Sequence, residues 1–103
     1  MKKVTVGAVI YKIRERKRIA GGAAYAETDV NACTIDIERG LGSERRREVL
    51  LHELGHASLE ESGISYLLRC GLDDSEAAAI EEMLCRTFLP TLIAASISVG
   101  VLK

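Results

Sequence analysis

The sequence predicts an α+β domain. A small antiparallel β-meander of three or four strands, residues 1–42, packs on a helix over 43–61 and on a C-terminal helical segment over 73–103. Three observations predict it. β-branched residues alternate with polar ones through the first forty positions, apolar residues recur at helical spacing from Ser43 onward, and Asp73-Asp74-Ser75-Glu76 opens a second helical run. At 103 residues there is room for one domain with one small core.

Residues 3–13 carry Val4, Val6, Val9, Ile10, Tyr11 and Ile13 and read as a strand bent at Gly7-Ala8. Five of the seven residues over 12–18 are basic, and no aromatic residue is interleaved. This is the pattern of a solvated hairpin end or an edge strand guarded by charge, rather than of a phosphate-binding patch. Gly21-Gly22 marks a turn, and a short strand over 24–27 follows. After a polar corner at Asp29-Val30-Asn31, a strand over 33–38 alternates Cys33, Ile35 and Ile37 with Thr34, Asp36 and Glu38.

Arg39-Gly40-Leu41-Gly42 ends the sheet. Ser43 is the expected N-cap of the next helix, Glu44 suits its positive end, and Ser62-Gly63 closes it. Residues 64–71 form a connector or short helix. The last helix is expected to start with Asp73 or Asp74 as cap, to run to Phe88, and to be ended or kinked by Pro90, with a further helical stretch over 91–102.

Fourteen basic against fifteen acidic residues give a net charge of −1, so neither nucleic acid nor an anionic membrane is the expected partner. Three cysteines, widely spaced and without a C-x-x-C pair, suit a reducing compartment. Met1-Lys2-Lys3-Val4 runs into alternation rather than an apolar export signal, so the cytoplasm is the expected location. The uncharged run 88–102, interrupted by Pro90 and Gly100, is 15 residues long, short of the roughly 20 that span a bilayer.

Function is concentrated in Leu50-Leu51-His52-Glu53-Leu54-Gly55-His56-Ala57. On a helix, residues four apart stack on one face, so His52 and His56 can aim both imidazoles at one point, the geometry of a metal site. Two histidines and a carboxylate hold Zn²⁺ with a fourth position left for water. Glu53, next to the first ligand, is then placed to act as general base on that water. The chemistry this predicts is metal-assisted hydrolysis. A chance H-E-x-x-H would occur in roughly one chain of this length in a few hundred, and here both histidines of the chain lie in the motif. Val49, Leu50, Leu54, Ala57 and Leu59 make the surrounding stripe of a helix packed on one side.

A third ligand must follow His56, and no histidine does. A carboxylate on the last helix is the natural donor. Glu76, Glu81 and Glu82 are all available, and helical periodicity does not separate Glu81 from Glu82.

The succession of Ala32-Cys33-Thr34-Ile35-Asp36-Ile37, Ser43-Glu44-Arg45-Arg46-Arg47 and Val49 through His56 resembles the minimal gluzincin metallopeptidases. It is similar to the ImmA/IrrE-like proteins carried by phages and mobile elements. The resemblance covers nearly the whole chain, with the metal motif as its specific part. It implies a zincin-like fold binding one Zn²⁺ and a peptide or protein substrate that pairs as a strand alongside an edge near residues 33–38. It also implies a third ligand on the following helix, ahead of a segment matched by Phe88-Leu89-Pro90-Thr91-Leu92. That places the ligand at Glu82, with Glu81 as the alternate. Tyr25, Tyr66 and Arg69 are the side chains able to stabilise an oxyanion, and none is assigned the role. The rival expectation is a metal-stabilised module, non-catalytic or latent, in which zinc serves folding.

Overall fold

The computed structural model describes residues 2–19, 22 and 24–98, with side chains as far as Ala94 at the C-terminal end. It contains β1 (Lys2–Val6), β2 (Val9–Arg16), β3 (Ala26–Asp29) and β4 (Thr34–Glu38), followed by α1 (Ser43–Glu61), α2 (Ile64–Gly71), α3 (Asp74–Arg86) and α4 (Phe88–Ser98). The molecule is an α+β fold with strands first and helices after. The expected helix over 91–102 is present as far as Ser98, while 99–103 and Gly21 lie outside the described residues.

The sheet is mixed, which corrects the expected antiparallel meander. Its order is β1-β2-β4-β3, with β2 and β4 parallel and the other two pairs antiparallel. After β2, the next strand in the chain, β3, lies beyond the place of β4, at the far edge. β3 runs along that edge, and β4 returns between β3 and β2. Alternation of side chains identifies a strand but not its neighbours, so the sequence pattern is the same for either topology.

Three local corrections follow from the same geometry. Residues 3–13 form not one bent strand but a hairpin, with Val6 opposite Val9. Gly7, at φ +62°, takes the first position of its two-residue turn, where a side chain would be strained. The strand expected over 33–38 starts at Thr34, because Cys33 has φ +55° at the end of a corner in which Asp29 Oδ1 accepts the Asn31 and Ala32 N–H groups, each at 3.0 Å. Nor is that strand an edge. The open edge on its side of the sheet is β3.

The basic run is solvated, as expected, but its residues 12–16 belong to the interior strand β2 and not to an edge, while Lys17 and Arg18 lie beyond it. Arg14 Nε and Nη2 donate to Asp36 Oδ1 and Oδ2 at 2.7 and 3.0 Å, and Arg16 Nη1 donates to Oδ2 at 3.2 Å. Arg14 stands directly opposite Asp36 in the parallel register. These bonds, that from Arg14 foremost, hold the Asp36 carboxyl below the usual carboxylate range against the opposing effect of burial.

The other face of the sheet carries Val6, Tyr11, Ile35 and Ile37, which pack with Ala57 of α1 and with Val49, Leu50 and Leu54 around it. The apolar stripe read from the sequence is therefore the face that α1 buries. Tyr11, fully buried, donates its hydroxyl to Glu61 Oε2 at 2.7 Å, and burial together with that carboxylate pushes the phenol above its ordinary range.

The α1 N-cap is Gly42, not Ser43. Gly42 is extended, its carbonyl accepts the Arg46 N–H at 2.8 Å, and no side chain caps the helix. Gly63, at φ +84°, follows the α1 terminus as expected. Asp73 caps α3 in a full capping box with Glu76. The break before α4 falls at Thr87 rather than at Pro90. Pro90 sits in the first turn of α4, where a missing N–H costs no helical bond. No described helix is long and apolar enough to cross a membrane.

Asp36→Asn should lower the melting temperature at pH 7 by about 4 °C. Because the folded carboxyl is held low, its stabilising effect is present above about pH 4 and is lost as pH falls through the folded value. Thermal unfolding of the two proteins from pH 7 to pH 2.5 should therefore show the gap closing towards acid.

Candidate metal centre

His52 and His56 lie one turn apart on α1, with their Nε2 atoms 3.2 Å apart. Glu82 of α3 reaches across to them. Its Oε1 is 2.8 Å from His56 Nε2 and its Oε2 is 3.4 Å from His52 Nε2. Zinc with bonds of 2.0–2.1 Å in a tetrahedron needs donor atoms about 3.4 Å apart. The two imidazole nitrogens and a Glu82 oxygen lie within 4.8 Å of one another, near enough to converge on one ion, and these three residues are the metal-competent cluster among the described residues. The imidazoles are about a quarter exposed and Glu82 is 43% exposed, so the cluster opens to solvent on one side.

The other candidate glutamates are engaged elsewhere. Glu81 Oε1 accepts from the hydroxyl of Ser65, a buried residue of α2, at 2.8 Å, and Arg69 lies 4.0 Å from its other oxygen. Glu76 is held in the α3 capping box. Arg86, one turn beyond Glu82, places Nε 3.4 Å from Glu82 Oε2.

Glu82 reaches the histidines because α1 and α3 touch at Gly55. A β-carbon there would stand 3.2 Å from Cys85 Sγ and 3.4 Å from Cys85 Cα, so the bare glycine sets how closely the helices approach. Cys85 is one turn from Glu82 on the same face and is fully buried. Burial first, and then the carboxylates of Glu82, Glu81 and Glu53, push its thiol up to about 12.

Glu53, 9% exposed, points towards the sheet edge. Its Oε1 accepts the Thr28 hydroxyl of β3 at 2.7 Å, and its backbone carbonyl lies 3.3 Å from the same hydroxyl. Thr28 carries no local sequence signal beyond alternation within a strand. Arg86 could have been read from its i,i+4 spacing to Glu82.

His52, Glu53 and Glu82 sit where two clefts meet. One, of about 630 Å³, is lined by Tyr25, Arg45, Val49, Leu51, Arg86 and Pro90 among others. The second, of about 470 Å³, adds His56 and is lined by Glu27, Thr28, Glu60, Arg69 and Glu81. Of the side chains considered for an oxyanion, Arg69 lines the second cleft and is 3.7 Å from Glu60. Tyr25 lines the first, under the Arg45 guanidinium. Tyr66 is 66% exposed and lines neither. Comparison of the chain with protein-family models, with curated proteins and with solved structures finds no match.

Proposed function

We propose that the chain is a zinc-dependent metallopeptidase of the gluzincin type, related to the ImmA/IrrE-like proteins of phages and mobile elements. His52, His56 and Glu82 hold one Zn²⁺, and Glu53 is the general base for hydrolysis of a peptide bond. The observation that carries the reading is the convergence of two imidazole nitrogens and the Glu82 carboxylate within 4.8 Å of one another, with Glu53 next to the first histidine. When bound, zinc supplies the acidification of water and the polarisation of a carbonyl.

The residues of the chain supply the rest. The Thr28 hydroxyl occupies Glu53 Oε1, which fixes the carboxylate and leaves Oε2 to take a proton from water and return it to the leaving amine. β3 presents an open strand edge beside the donors, and main-chain pairing along it would hold a peptide extended across them. A metal-stabilised binding module is the second reading. It is favoured by one feature: the Thr28 to Glu53 bond also ties the sheet to α1, a structural role for the same carboxylate.

Three measurements test these readings. Elemental analysis of protein purified without added metal should give about one zinc per chain, lost in His52→Ala and in Glu82→Ala. Glu53→Gln keeps an oxygen acceptor for Thr28, so it should retain its zinc and its melting temperature while peptide cleavage falls on the order of 10²–10⁴-fold. Zinc-loaded wild type with no hydrolysis of any peptide would favour the binding module. Gly55→Ala should weaken zinc binding about tenfold in chelator competition. Its melting temperature should change little, because the roughly 1 kcal/mol that alanine adds to helix stability offsets the crowding at Cys85.

A further inference from the structure

The open edge at β3 presents a different row of side chains on each face of the sheet. Ala26 and Thr28 stand opposite Ile37 and Ile35, on the face that α1 covers, whereas Glu27 and Asp29 stand opposite Asp36 and Thr34, on the face turned away from it. The inward row begins small. Ala24 and Ala26 line the larger cleft with Val49, Leu51 and Pro90, which leaves room beside them for an apolar side chain.

The outward row is acidic and unmatched. Glu27 lies directly across from Asp36, and like charges so placed oppose each other. Asp36 is answered by Arg14 and Arg16, but neither Glu27 nor Asp29 has an ion-pair partner among the described residues, and both are exposed. Read across the sheet, the row runs Arg14, Asp36, Glu27: a cation followed by two anions. Its next place belongs to whatever strand pairs with β3.

A strand added there keeps the pleat of the sheet whichever way it runs, so residues opposite Glu27 and Asp29 turn outward and the residue opposite Ala26 turns inward. We infer that the peptide held along β3 alternates basic and apolar residues. Its lysine or arginine side chains lie outward beside Glu27 and Asp29, and an apolar side chain lies inward, against Ala24, Ala26, Val49 and Leu51. This rests on the peptidase reading, in which a substrate pairs with β3, and adds the substrate class to it.

The test uses four ten-residue fluorescent peptides: valine alternating with lysine, valine alternating with glutamate, serine alternating with lysine, and valines and lysines in successive pairs. Their affinity for the zinc-loaded Glu53→Gln chain is measured by anisotropy. The valine and lysine alternation should bind about tenfold more tightly than the valine and glutamate one, as two attractive cross-strand pairs exchanged for two repulsive ones would give. It should also bind more tightly than the serine peptide, which lacks the apolar side chain, and than the paired peptide, which has the same composition and charge without the alternation. The preference for lysine should shrink as salt is raised. Glu27→Lys, placed in the same chain and retaining its zinc, should reduce or reverse it. Lysine and glutamate alternations bound within twofold of each other, alternating and paired peptides bound equally, or no binding of any of the four would overturn the inference. Zinc-dependent cleavage of casein by the wild type reads the peptidase activity separately, so its absence would remove that reading, and its presence beside a failed binding test would remove this inference alone.

Discussion

The close approach of α1 and α3 at Gly55 and Cys85 is the contact on which the rest of the site depends. The histidine pair needs only helical spacing, but the carboxylate belongs to a different helix and must be brought to it. A glycine at the crossing lets the backbones come near enough for a glutamate, two methylenes from its backbone, to reach both imidazoles. The Ser65 hydroxyl, holding Glu81, fixes the roll of α3 about its axis, so that of two adjacent glutamates only Glu82 turns to the histidines.

The sheet does its part from the other side of α1. Because β4 returns inside β3, it is flanked by strands and buried on both faces, and its buried carboxylate, Asp36, is neutralised by Arg14 and Arg16 from the neighbouring strand. The same topology puts β3 at the edge and Thr28 against Glu53. A charge pattern that looks like surface decoration in β2 is thus what allows an acidic residue in an interior strand. The edge next to the donors is left free as a result.

What was legible in the sequence and what was not divides by range of interaction. His52, Glu53 and His56 were legible because their geometry is set within one helical turn. The bounds of α1 and the Asp73 capping box were set just as locally. The strands were legible from alternation, whereas their order was not, since nothing in residues 17–25 states which side of β4 the chain will pass. Choosing between Glu81 and Glu82 required knowing what Ser65 and Gly55 touch, contacts made 16 and 30 residues away in the chain. Thr28 was invisible for the same reason: a threonine in a strand acquires its meaning only from the helix laid over it.

The donors are spread unevenly along the chain. His52 and His56 are neighbours, while Glu82 follows after the whole of α2 and most of α3. An ion gripped by all three would therefore act as a cross-link, closing a loop of about 27 residues; by chain-entropy arithmetic such a closure restrains the unfolded ensemble by about 3.5 kcal/mol. The loop contains helices and none of the sheet. Loss of the ion would slacken the α2 and α3 side of the molecule first and leave the strands, with Tyr11 at their centre, as the part that persists.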